Sequence, residues 1–240
     1  MAQNNNPITP LQVVAIVFNT IVSARLLILP RELATEAGNS SWIVLIVCAF
    51  VMLAAVALYT ALGRRFPGHS LPQYAVSTLG VFWGGILSLL FAASWLFMAA
   101  LSSRIFSAVI ITAILPRVPL EVGILVMLLL GAHLATKDVA TVARVHELFL
   151  PLVVAAIFLL IVPSLVRIDV WQLLPLLEID SWGQVGRSLM VGLTSFLGFE
   201  IVALFMPYYE QPQGAGRSHR LGLLIVGVVF LLIVVGCIGV

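Results

Sequence analysis

Residues 19–30 read NTIVSARLLILP and lie inside the first long apolar segment of the chain, residues 8–29. A charged side chain at bilayer depth costs about 2.5–3.5 kcal/mol on insertion scales, so Arg25 needs a polar cavity or a partner. Small and polar residues precede Arg25, and an aliphatic run ending at Pro30 follows it. The pattern favours a membrane helix broken at mid-membrane, with its backbone lining a cavity. The alternative is a continuous helix in which Arg25 reaches the headgroups or pairs with an acid.

The composition predicts an integral membrane protein. Of the 240 residues, 62% are hydrophobic and 9% are charged, whereas a soluble domain has about 25% charged residues. The net charge is +2, and no Lys/Arg cluster with interleaved aromatic residues supports nucleic-acid binding. Cys48 and Cys237 lie in apolar runs, which predicts small core residues rather than a disulfide or a metal-binding pair.

Apolar segments of about 20 residues, the length that crosses a bilayer, recur along the chain. Seven are predicted as spans of an all-α polytopic membrane protein: residues 8–29, 42–62, 81–115, 120–134, 149–166, 185–206 and 221–240. Residues 171–180 are semi-polar and contain a proline, and they are predicted to form an interfacial or extracytoplasmic helix and loop. Because the last segment has no closing polar anchor, we expect the chain to end prematurely, as a fragment or a truncated reading frame.

The distribution of basic residues predicts a cytoplasmic N-terminus. The loops after the second, fourth and sixth segments hold Arg64, Arg65, Lys137, Arg144, Arg217 and Arg220. The opposite loops hold Arg31, Arg117, Arg167 and Arg187, together with most of the acids.

Residues 192–200, GLTSFLGFE, form a second unusual stretch inside an apolar segment. Glycines and the hydroxyls of Thr194 and Ser195 precede Glu200, a composition typical of a helix that opens to expose its backbone. For the glycines, close packing between helices explains the pattern equally well. Glu200 is either a proton site or the counter-ion of Arg25 or Arg104, and the sequence leaves both roles open.

Arg104 lies in the third segment, in which Ser94, Met98 and Ser102 are four residues apart and share one helical face. That face is a candidate cavity wall. The alternative is a serine-rich helix interface with Arg104 reaching the headgroups. No phosphate-binding loop, nucleophile elbow or zinc-binding His-Glu pair occurs, and the spacing of His133 and His146 has no metal-ligand logic. The pattern therefore favours no enzyme, cofactor or metal.

Motifs in order along the whole chain resemble those of the GerAB-type B subunit of spore germinant receptors. They are residues 19–31, 65–67, 79–80, 195–200, Arg104 and Pro207. The resemblance implies a leucine-transporter-like fold of ten spans in two inverted five-helix repeats. Residues 1–166 would be the first repeat and residues 181–240 the incomplete start of the second, within one transmembrane domain, residues 1–240.

The resemblance also implies where a ligand binds, at the breaks of the first and sixth helices. The expected site residues are Thr20, Ser23, Ala24, Arg25, Ser94, Thr194, Ser195, Gly198 and Glu200. The implied function is to bind a small nutrient, such as an amino acid, and to signal germination through a receptor A subunit and a C lipoprotein. The expected location is the spore inner membrane or a bacterial cytoplasmic membrane. The alternatives are a proton-coupled amino acid permease and an assembly subunit that has lost its site.

One departure from the family pattern affects the site. Family members usually carry Gly-x-Gly at the first break, where this chain has Ser23-Ala24-Arg25. The arginine places charge and bulk where the backbone would approach a carboxylate. It could bind an anion, pair with Glu200 or abolish the usual site.

Overall fold

A computed structural model of the chain describes residues 7–22, 25–66, 68–174, 181–209 and 214–239, and these residues are almost entirely helical. The α-helices are α1 Pro10–Ile21, α2 Arg25–Ala37, α3 Ser41–Arg65, α4 Leu71–Ala113, α5 Leu120–Ala135, α6 Val139–Val166, α7 Trp182–Ser195, α8 Ile201–Phe205 and α9 Ala215–Ile238. Short 3₁₀ helices cover Gly38–Ser40, Val170–Leu173 and Met206–Tyr208.

Four helical stretches in the described part of the chain are long and apolar enough to cross a bilayer. They are Arg25–Arg65, which joins α2 and α3, Leu71–Ala113, Val139–Ser164 and Ala215–Ile238. α1 and α5 are apolar but shorter, with 12 and 16 residues. The prediction of a helical membrane protein is thus confirmed. The count of seven spans and the inverted repeats stay predictions.

α6 begins at Val139, well before the apolar segment predicted to start at residue 149. Its polar first turns pack against α1, where Gln12 Nε2 donates to Glu147 at 2.9 Å and Asn19 Nδ2 donates to the His146 carbonyl at 2.7 Å. Hydropathy follows side-chain polarity, whereas a helix continues wherever its polar groups find partners. For that reason the helix begins ten residues before the apolar segment that hydropathy predicts.

Gly80 divides α4 into two parts, residues 71–79 and 81–113, because its φ of 79° and ψ of 169° are not helical. The shorter part folds back on the longer one. An ideal Cβ on Gly84 would lie 2.4 Å from the Cα of Val76, and Ser88 Oγ, which donates to the Gly84 carbonyl at 2.7 Å, lies 3.4 Å from the Pro72 carbonyl oxygen. The longer part matches the third predicted segment.

The core lies where α9 packs against α1 and α3, and α7 packs against α2 and α3. Phe18, Phe196 and Phe230 are among its largest buried side chains, and the last two meet edge to face at 5.4 Å. Cys48 is buried, as predicted, but Cys237 is exposed, so the prediction of a core position for Cys237 is wrong. Apolar runs contain lipid-facing as well as inward positions, and the sequence alone did not separate them.

A buried polar network joins α3 and α9 to the segment after α8. Tyr209 Oη lies 3.1 Å from His219 Nε2, and His219 Nδ1 lies 2.9 Å from Thr60 Oγ1. The Thr60 hydroxyl donates to the Val56 carbonyl at 2.7 Å, so His219 Nδ1 donates to Thr60 and Nε2 accepts from Tyr209. Next to this network the Ile8 amide donates to the Tyr208 carbonyl at 2.9 Å.

The contact between α7 and α3 yields the first testable prediction. An ideal Cβ on Gly192 would lie 2.5 Å from Cys48 Sγ. Overpacking of this kind costs about 1–3 kcal/mol, so we expect Gly192→Ala to lower the free energy of unfolding by that amount. The double variant Cys48→Ala/Gly192→Ala should recover most of the loss, as measured by thermal unfolding in detergent.

Gly186→Ala is the matched control, since Gly186 lies on the same helix and an added Cβ would meet nothing within 4 Å. This variant should unfold at or slightly above the wild-type temperature, because alanine favours helix more than glycine does. Equal losses in Gly186→Ala and Gly192→Ala would contradict the packing described for α7.

Candidate functional site

The first helix break separates α1 from α2. α1 ends at Ile21, and Val22 leaves the helical conformation with φ −76° and ψ 43°. α2 begins at Arg25. The two helices thus end and begin on either side of the predicted break. Ser23 and Ala24, both predicted site residues, lie outside the described residues.

The second break follows α7. After Ser195 the backbone bonds change to a spacing of three residues: the Phe196 amide donates to Leu193 and the Phe199 amide donates to Phe196. Gly198 has φ 104°, and its amide donates to Glu200 Oε2 at 3.0 Å. In a continuous helix this amide would bond to a backbone carbonyl four residues earlier. The predicted opening of this helix is confirmed.

The two breaks touch each other at Gly198. An ideal Cβ there would lie 3.0 Å from Thr20 Cγ2 and 3.3 Å from the Thr20 carbonyl oxygen. Glycine is needed at this position for two reasons: the positive φ and the close approach of α1.

A cavity of about 160 Å³ lies beside this contact. Four of the predicted site residues line it: Thr20, Arg25, Gly198 and Glu200. The opposite wall is one face of α4, which contributes Trp95, Met98, Ala99, Leu101, Ser102 and Ile105. Residues that are 180 positions apart in the chain thus share one small space.

The cavity holds charges of both signs. Arg25 and Glu200 are both half-buried and line the same space, yet they form no ion pair in the described part of the chain. Glu200 instead accepts from the Gly198 amide. The indole N–H of Trp95 is buried and has no hydrogen-bond partner among the described residues. The lining of the cavity therefore contains a cation, a carboxylate and a tryptophan whose indole N–H is unpaired in the described part of the chain.

The other predicted site residues lie elsewhere. Ser94 lines a separate cavity between α3 and α4, and Arg104 is exposed and lines neither space. Thr194 and Ser195 donate to the Val191 carbonyl at 3.0 Å and 2.8 Å, inside their own helix. Their hydroxyls satisfy the backbone next to the break instead of facing the cavity.

Trp95 and Ile105 are the lining residues of most interest that the sequence reasoning missed. A signal was present, since Trp95, Met98, Ser102 and Ile105 recur at spacings of three and four residues, on one helical face. Of the face predicted as a cavity wall, Met98 and Ser102 line the cavity, whereas Ser94 does not and its neighbour Trp95 does.

Comparison with known proteins shows which family this chain belongs to. The profile of the family described as spore germination protein, a spore permease family, matches residues 7–240. The chain belongs to this spore germination permease family. Among its relatives, Spore germination protein A2 of Bacillus subtilis (strain 168) is 29% identical over 242 residues, covering 98% of this chain and 66% of its own length.

Two further Bacillus subtilis (strain 168) proteins are similar at 22% identity over 240 residues. For Spore germination protein YndE the match covers 100% of this chain and 66% of the relative, and for Spore germination protein B2 it covers 99% and 65%. The chain therefore spans about two thirds of the length of these relatives. The predicted resemblance to GerAB-type proteins is confirmed.

The contact between the two breaks yields a second prediction. Gly198→Ala should lower the free energy of unfolding by about 1–3 kcal/mol, because an alanine would be held at a strained positive φ. Adding Thr20→Ser, which removes the methyl group closest to the new Cβ, should restore only part of this loss. Thermal unfolding in detergent measures both variants. Full recovery in the double variant would contradict the backbone conformation described for Gly198.

Proposed function

We propose that this germination permease is the B subunit of a spore germinant receptor and binds a small nutrient, such as an amino acid, between its two helix breaks. The observation that carries the proposal is the pair Arg25 and Glu200, which line one small cavity without bonding to each other. An amino acid carries an ammonium group and a carboxylate on the same carbon atom. The guanidinium and the indole N–H of Trp95 would bind its carboxylate, and Glu200 would bind its ammonium group.

The size of the cavity supports a small ligand. Its volume of about 160 Å³ lies below the roughly 300–1,000 Å³ of pockets for drug-sized molecules. The α4 wall is mostly apolar, with Met98, Leu101 and Ile105, so an aliphatic side chain would find contacts there. A sugar or a nucleoside would leave its many hydroxyls facing these apolar residues without partners.

Signalling would use the mobility that broken helices give to the permease fold. The proposal includes the inverted-repeat arrangement, with residues 1–166 as the first repeat and residues 181–240 as the start of the second, and a cytoplasmic N-terminus in the spore inner membrane. A nutrient shifts an equilibrium between two states only through its different affinities for them. That shift would pass to a receptor A subunit and a C lipoprotein.

A proton-coupled amino acid permease is the second candidate, and one observation favours it. Glu200 is a half-buried carboxylate at a helix break, a position where coupling protons bind in transporters. In this case nutrient would cross the membrane, and its uptake would follow the pH gradient.

The test compares spores that carry the wild-type gene, a deletion, Arg25→Gln or Glu200→Gln, germinated with a panel of L-amino acids and followed by loss of optical density. Losing one charge-assisted hydrogen bond costs about 1.5–3 kcal/mol, so each variant should raise the half-maximal nutrient concentration by about 10- to 100-fold. Arg167→Gln and Glu121→Gln are the matched controls, because both side chains are exposed and neither lines the cavity.

Vesicles containing the wild-type gene product are tested in parallel for uptake of the same labelled amino acids. A receptor should give no uptake that follows an imposed pH gradient. Unchanged germination in Arg25→Gln and Glu200→Gln would overturn the proposed site. Normal germination of the deletion spores together with pH-driven uptake would establish the permease instead.

A further inference from the structure

A second and larger cavity lies between α3 and the two parts of α4. It is a groove of about 670 Å³ whose lining is almost entirely apolar. Its aliphatic lining includes Leu58, Leu62, Leu71, Ala75, Leu87 and Leu90. Leu58 and Leu90 are 71% and 62% exposed, so the groove is open at the surface of the described part of the chain.

The fold builds the shape of this groove. The turn at Gly80 returns residues 71–79 against the longer part of α4, and the close approach of Gly84 to Val76 holds the two parts together. At one end the rings of Phe66 and Tyr74 stack with centroids 5.3 Å apart and planes 18° apart. The groove is therefore a defined feature between packed elements, unlike the outward surface of a single helix.

Two polar features mark the groove. Tyr74 is 6% exposed and lines the groove, and its hydroxyl has no hydrogen-bond partner in the described part of the chain. Such a buried hydroxyl calls for an acceptor. Arg65, the last residue of α3, directly precedes the groove residue Phe66. It is exposed and forms no hydrogen bond or ion pair with the residues that the structure describes.

We propose that this groove binds a phospholipid with an anionic headgroup. One acyl chain lies along the leucines of α3 and α4, an ester oxygen accepts from the Tyr74 hydroxyl, and the phosphate group meets Arg65. The aliphatic lining matches the acyl chain of such a lipid, the Tyr74 hydroxyl matches its ester, and the cation at the end of α3 matches its phosphate.

The bound lipid contacts residues that lead to the nutrient cavity. Tyr59 lines the groove and packs edge to face on Phe199, the neighbour of Glu200, with ring centroids 5.5 Å apart. Phe91 lines the groove and packs edge to face on Trp95 of the cavity wall, with ring centroids 6.3 Å apart. Lipid in the groove thus supports the aromatic pairs that stand beside the second helix break.

The test is photocross-linking of the complete gene product in vesicles of phosphatidylglycerol and phosphatidylcholine. A trace of either lipid carries a photoreactive group at the end of its acyl chain, and mass spectrometry maps the labelled peptides. We expect the phosphatidylglycerol probe to label groove residues of α3 and α4 about fivefold more than the phosphatidylcholine probe. Labelling by phosphatidylglycerol should fall by a similar factor in Arg65→Gln and in Leu90→Trp, which fills the groove.

Each variant has a matched control. Leu89→Trp changes the neighbouring residue, which is 71% exposed and does not line the groove, and Arg117→Gln removes an exposed arginine from another loop. Both controls should label like the wild type. Equal labelling by the two lipids, or no loss in Arg65→Gln, would overturn the proposal in favour of bulk lipid. Absence of lipid labels in the groove, with protein covering it, would overturn it as well.

Discussion

Inside a bilayer a backbone amide or a charged side chain without a partner is costly, because hydrocarbon offers no hydrogen bonds. The structure depends on how this constraint is met at two places where helices stop in the middle of apolar sequence. At the second break the Gly198 amide turns to Glu200, and the backbone tightens into three-residue turns. At the first break Arg25 lines a cavity.

The two breaks stabilise each other because they lie in contact. Thr20 packs on Gly198, Phe196 packs into the core on Phe230, and Gly192 lies against Cys48. Opposite charges then face one space that α4 closes from the other side. Close packing of small residues is also the usual way that membrane helices associate. The sequence left two interpretations of the glycines in residues 192–200 open, close helix packing and an opened helix. Gly192 fits the first, because it lets α7 pack closely on α3, and Gly198 fits the second, because it lets the helix turn.

The positions of both helix breaks could be predicted from the sequence. The energetic cost of a charge in the bilayer and the small, polar residues beside it indicate the same two stretches. Arg25 and Glu200 lie inside apolar segments, and their positions led to the prediction of both helix breaks. Thr20 and Gly198, which lie next to these breaks, were predicted as site residues for the same reason, and both line the cavity. The sequence could not separate Ser94 from Trp95, because a shift of one residue on a helix turns the side chain by about 100° and only neighbouring helices fix that rotation. The fold-back of α4 at Gly80 likewise depends on tertiary contacts between the two parts of the helix.

Protection of a cavity residue by nutrient tests the central claim most directly. In a Cys237→Ser background, which removes the exposed native thiol, Met98→Cys places a thiol in the cavity wall and Phe97→Cys places one on the outward face of α4. We expect the L-amino acid that triggers germination to slow maleimide labelling of Met98→Cys in the purified protein and to leave Phe97→Cys unchanged. Equal labelling rates of Met98→Cys with and without that amino acid would contradict a nutrient site between the two helix breaks.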